Sequence, residues 1–219
     1  MTAKEIRAKA RASLKGQWTP MVLISLVYMA FSIGCILTAA FVVGDLLLII
    51  LMPPVYLGFS LCSMRVLRNE GVVVKDLWRG TAMMGKSIAL YWINSIYVAL
   101  WSLLLYIPGI IKSYEYSMSM YVLADNRRMT TDEAREESIR LMDGNKMRLF
   151  RLKLSFLGWI ALNIVTLGVA TPWTSAYYRV AEAHFYEMVK AERPRPVYTT
   201  IAETQEPKPN KDSLFRDMD

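Results

Sequence analysis

Two short sets of polar side chains stand inside otherwise apolar runs, and any chemistry in this 219-residue chain has to be sought there first. Lys112, Glu115 and Ser119 fall on one face of a helix, and Arg179, Glu182, Tyr186 and Lys190 on one face of another, because residues three and four apart are neighbours on a helix surface. Glu115 and Arg179 each follow a proline, Pro108 and Pro172, by the same interval. At ~1.5 Å per residue both are expected about 10 Å below an outer membrane surface, at matching depth and able to pair. A charge in such a place needs a partner or a water-filled path. The stripes Lys112, Glu115, Ser119 and Arg179, Glu182, Tyr186 therefore offer two chemistries: lining a cavity for a small solute or ion, or gluing two helices together.

Catalysis finds no comparable constellation. His184 is the single histidine, and the two cysteines, Cys35 and Cys62, lie inside apolar segments, so zinc-ligand spacings are absent and no disulfide framework is expected. There is no G-x-S-x-G elbow, P-loop or dinucleotide glycine fingerprint. Glu182 and His184, two residues apart, point away from each other on a helix. No enzyme, metal or cofactor is expected, and His184 reads as an interfacial or packing side chain.

The elements that carry these residues are set by composition. Apolar residues make up 54% of the chain, mean hydropathy is +0.25, and the 21% of charged residues are clustered. A membrane-crossing helix needs roughly 20 apolar residues. Uncharged runs over 16–44, 87–111 and 154–178 qualify, and 46–64 is just long enough. Prolines and glycines then divide the apolar part into outgoing and returning helices. The expectation is an all-α, polytopic membrane helical bundle of about six transmembrane helices in three hairpins, spanning about 19–43, 46–68, 86–107, 108–124, 149–170 and 172–190. Together with amphipathic cytoplasmic helices over 3–16 and 131–143 they form an integral membrane domain, 1–192, followed by a polar, proline-rich tail, 193–219, read as disordered.

Charge supplies the orientation. Lys and Arg number five before the first span, five over 65–86 and eight over 127–153, with none at the intervening turns. That alternation fits six crossings with both termini cytoplasmic. The net charge of +7 is thereby explained by topology. It implies attraction to anionic lipid head groups and no nucleic-acid role.

The helix at 131–143 is specified locally by Thr130 and Glu133 as a capping box and by Gly144-Asn145 as a stop. Its stripe, Ala134, Ser138, Leu141 and Met142, reads either as a clamp holding the third hairpin or as a docking surface for a protein partner. SLKGQW after the first helix, DLWRGTAMMGK, and RLMDGNK after the third share a glycine stop before a basic lead into the next span, a weak threefold repeat.

YIPGIIKSYEYSMSMYVLADN, EESIRLMDGNKMRLFRLKLSFLGWI, the TLG turn and AYYRVAEAHFYEMVK, with ARASLKGQW near the start, resemble a bacterial membrane family catalogued as domain of unknown function 975, over about 4–190. The resemblance implies an integral protein of the bacterial cytoplasmic membrane and supplies no activity, ligand or catalytic residue. The functional expectation is a non-enzymatic scaffold, sensor or accessory factor acting through its cytoplasmic surface helices. The alternative is a small-solute or ion transporter using the buried charges.

Overall fold

The computed structural model describes residues 2–38, 42–104 and 106–193, all in helices and short turns without a strand. The tail expected beyond 193 lies outside the described residues. In chain order the helices are α1 (Ala3–Leu14), α2 (Trp18–Thr38), α3 (Val42–Leu67), a 3-10 helix (Val74–Met83), α4 (Met84–Leu104), α5 (Tyr106–Glu115), α6 (Ser119–Asp125), α7 (Thr131–Met142), α8 (Lys146–Leu154), α9 (Leu157–Val165) and α10 (Thr171–Glu192). Three stretches are long and apolar enough to cross a membrane: Trp18–Leu37, Ile49–Leu67 and Val74–Leu104.

Two of the expected spans are not continuous helices. The chain breaks between α5 and α6, at Tyr116 to Met118, and between α8 and α9, at Ser155 and Phe156. A helix break strands backbone groups that no helical partner can satisfy. Ser138 of α7 resolves the first break, donating to the Glu115 carbonyl at 2.6 Å and accepting from the Met118 amide at 3.2 Å. Pro53 and Pro54, by contrast, lie inside α3 and do not end it.

The amphipathic helices repeat one design. In α1 the Glu5 amide donates to Thr2 Oγ1 at 3.3 Å and the Thr2 amide to Glu5 Oε2 at 3.2 Å; in α7 Thr130 and Glu133 exchange the same bonds at 3.3 and 2.8 Å. Both helices are 12 residues long and leave through an extended residue, Lys15 or Asp143, into a glycine with positive φ, Gly16 at 86° and Gly144 at 69°. Only glycine adopts that conformation without strain. Ile6, Ala10 and Leu14 are buried from α1, and Ala134, Ser138 and Met142 from the matching positions of α7. The 3-10 helix keeps half of the cap, its Val73 amide donating to Asp76 Oδ2 at 3.1 Å.

These three helices also pack alike: the 3-10 helix on α3, α7 on α6, and α1 on α10. Each thus lies against the last helix of the unit before it, and α1 closes the circle onto the third unit. At the centre α3 contacts α6 and α10, and Tyr121 of α6 stacks on Tyr186 of α10 at 6.0 Å between ring centres. Among the described residues the fully buried large side chains are concentrated here, with Phe59, Tyr121, Tyr177 and Phe185 as the largest.

Candidate functional site

The stripe of α7, Ala134, Ser138, Leu141 and Met142, is closed off within the chain. α7 then turns at Gly144 and delivers Lys146, whose ammonium reaches Glu115 Oε1 at 2.6 Å. Lys112 bonds the other oxygen, Oε2, at 2.6 Å from one turn earlier on α5. The carboxylate is thus shared between two lysines. The expected pairing of Glu115 with Arg179 does not occur, because the α5–α6 break and the docking of α7 bring the basic start of α8 to Glu115.

Arg179 instead sits in a nest of tyrosines. Its guanidinium lies 4.3 Å from the centre of the Tyr56 ring, donates to the Tyr56 hydroxyl at 2.7 Å and meets Glu182 Oε2 at 3.3 Å. Glu182 accepts further bonds from Tyr178 at 2.6 Å and Tyr121 at 3.3 Å. The side chains of Arg179 and Glu182 are only 17% and 7% exposed, so the geometry joins α3, α6 and α10 through one satisfied ion pair. Such saturation is what a buried charge requires.

Tyr186 and Lys190, on the same face of α10, belong to a third group at Asp125, the last residue of α6. Asp125 receives Lys190, the Arg68 guanidinium at 2.6 Å and the Tyr186 hydroxyl at 3.1 Å, and Arg68 also holds Glu187 at 2.7 Å. Burial pushes the Asp125 carboxyl up, but the bonds from Arg68 and Lys190 outweigh it and hold it below the usual carboxylate range. A surface depression of about 590 Å³ opens beside this group, lined by Asp125, Glu137, Tyr186 and Lys190 among others. Ser119 stands apart, accepting from Asn94 Nδ2 of α4 at 2.9 Å and donating to the Tyr116 carbonyl at 2.7 Å.

The two polar stripes therefore resolve into separate clusters rather than one. Sequence reasoning missed Tyr56, Tyr121 and Tyr178 as partners of the ion pair, and Lys146 as a partner of Glu115. Only Tyr178, one helical turn before Glu182, left a local signal. His184 faces α1, its Nε2 3.0 Å from Ser13 Oγ. Among the described residues no group of three or more His, Cys, Asp or Glu side chains is placed to hold a metal.

Fold and clusters together define an all-α protein with three membrane-length apolar helices and ion pairs buried between its helices. Residues 103–193, from the end of α4 through α10, match a family described as Protein of unknown function (DUF975). The resemblance drawn from the motifs holds over that segment, whereas ARASLKGQW lies outside it. No match to the chain was found among curated proteins or among solved structures.

Proposed function

We propose that the chain is a non-enzymatic, multi-pass protein of the bacterial cytoplasmic membrane that serves as a scaffold, sensor or accessory factor, with its basic side and both ends in the cytoplasm. One observation carries this reading. Among the described residues the three buried carboxylates each end on cations of the same chain: Asp76 on Arg65 and Arg79, Glu115 on Lys112 and Lys146, and Glu182 on Arg179. Charges committed to one another hold helices together; charges that move a solute must exchange partners. The alternation of basic segments favours three antiparallel pairs facing one way, and those segments attract anionic lipid head groups. Since the apolar stripe of α7 is buried, a protein partner would meet its opposite face, at Asp132, Glu133 and Glu136, which is exposed.

Two broken helices in one chain keep a transport reading in view, because discontinuous helices recur at solute sites. Flux of monovalent ions and small anions into liposomes separates the two. The scaffold reading expects no flux above protein-free liposomes. Flux that disappears in Glu115→Gln and Arg179→Gln while the protein stays inserted would replace it with the transport reading. Photocrosslinking from Glu136 in cells tests the partner directly, and capture of only lipid and the chain itself would sink that part of the proposal.

A further inference from the structure

Cations lie against aromatic rings partway along two of the apolar helix pairs. On α4–α5 the Arg135 guanidinium is 4.9 Å from the centre of the Tyr97 ring, and the Lys112 ammonium is 5.6 Å from that of Trp101. On α10 Arg11 is 5.9 Å from the Tyr177 ring, and Arg7 donates at 2.9 Å to the carbonyl of Ser155, in the break before α9. Arg135 belongs to α7 and both Arg7 and Arg11 to α1, helices too densely charged to enter hydrocarbon. Their contacts therefore mark where the hydrocarbon begins, and Trp and Tyr are the residues that favour that boundary.

Little chain remains beyond the mark. From Tyr97 to the end of α4 is about 10 Å of helix, and from Tyr177 back to the start of α10 about 9 Å, at ~1.5 Å per residue. The stretches 98–111 and 157–173 carry no charged residue, and Lys112, just past the first, turns its ammonium to the Trp101 ring. The tips are among the most exposed apolar side chains, Leu104 at 72% and Leu167 at 94%. A hydrocarbon layer is ~30 Å thick. The α9–α10 turn also satisfies its own amides, as hydrocarbon demands: Gly168 donates to the Asn163 carbonyl at 2.8 Å, Val169 to the Thr166 carbonyl at 3.0 Å, Ala170 to Thr166 Oγ1 at 3.3 Å and Thr171 to the Gly168 carbonyl at 3.0 Å.

We propose that α4–α5 and α9–α10 are re-entrant wedges that dip into the leaflet on the basic side and turn inside it, so that the chain crosses fully only through α2–α3. This rests on the membrane reading above and replaces the six crossings expected from charge alternation. The wedges' partner is the acyl region of one leaflet.

Single thiols at Leu104→Cys, Leu167→Cys and, as reference, Glu136→Cys, each in a Cys35→Ala, Cys62→Ala background, test it in carbonate-washed membranes. The wedge arrangement expects a membrane-impermeant maleimide to label Glu136→Cys from one face only and to leave both tips unlabelled from either face. A permeant bimane on the tips should then be quenched most by lipids brominated mid-chain. Labelling of either tip from the face opposite Glu136→Cys overturns the proposal, as does an unlabelled tip whose bimane ignores brominated lipid. Release of the protein by carbonate refutes the membrane reading itself, and the wedges with it.

Discussion

Gly80 offers the sharpest test of the packing. The 3-10 helix crosses α3 so closely that a Cβ on Gly80 would fall well inside contact distance of the Pro54 carbonyl oxygen and 2.6 Å from the Gly58 amide nitrogen. Gly58 makes the reciprocal approach, and a Cβ there would sit 2.8 Å from the Leu77 carbonyl carbon. Overpacking against movable side chains costs about 1–3 kcal/mol. Here the obstructing atoms are backbone inside a proline-containing helix, so Gly80→Ala is expected at the upper end, ~3 kcal/mol, or roughly a hundredfold in the folding equilibrium. Gly85, the second residue of α4, has open space around its missing Cβ; Gly85→Ala should stabilise by up to ~1 kcal/mol through helix propensity. Because Gly58 and Gly80 serve one contact, their double substitution should cost clearly less than the sum of the singles. Unfolding midpoints in mixed micelles read all four variants. If Gly80→Ala and Gly85→Ala shifted the midpoint in the same direction by the same amount, the close crossing would be refuted.

Three further outcomes are expected from the same measurement. Thr2→Ala and Thr130→Ala should each cost about 1 kcal/mol and match each other, since the two caps share one geometry; unequal costs would argue against the repeat. Arg179→Gln, which leaves Glu182 buried without its cation, should cost roughly 3–5 kcal/mol, and Arg179→Met combined with Glu182→Leu should recover most of it. Asp125 has its carboxyl lowered on folding, so its contribution is fully present above the unfolded value of ~3.9 and is lost as pH falls through the lower folded value. Asp125→Asn should flatten that part of the stability curve below about pH 4.

The local parts of the fold were legible because local chemistry decides them. Thr130, Glu133 and Gly144 define α7 within a residue of its observed end, whereas α1, expected over 3–16, ends two residues earlier at Leu14. The interruptions at Tyr116 and Ser155 were not legible, since neither carries proline or a glycine stop. What supports the first is Ser138, more than twenty residues away in sequence. The ion pairs divide similarly. Arg179 and Glu182, one turn apart, could be read as one face of α10, whereas Tyr56 and Tyr121 reach them only once three distant helices meet. Pro53 and Pro54 lie inside the span expected over 46–68, and both are buried within α3, which continues through them.

The circular arrangement of the three units has a temporal side. α1 leaves the ribosome well before α10, yet its resting place is α10, with the Tyr177 hydroxyl bonded to the Arg7 carbonyl across 170 residues of sequence. At roughly 5–20 residues per second, the intervening chain takes about 10–35 s to synthesise. Throughout that interval the buried stripe of α1, Ile6, Ala10 and Leu14, lacks α10, although α3 and then α8, which it also touches, are made earlier. The circle that α1 closes is therefore completed only when α10 has been made.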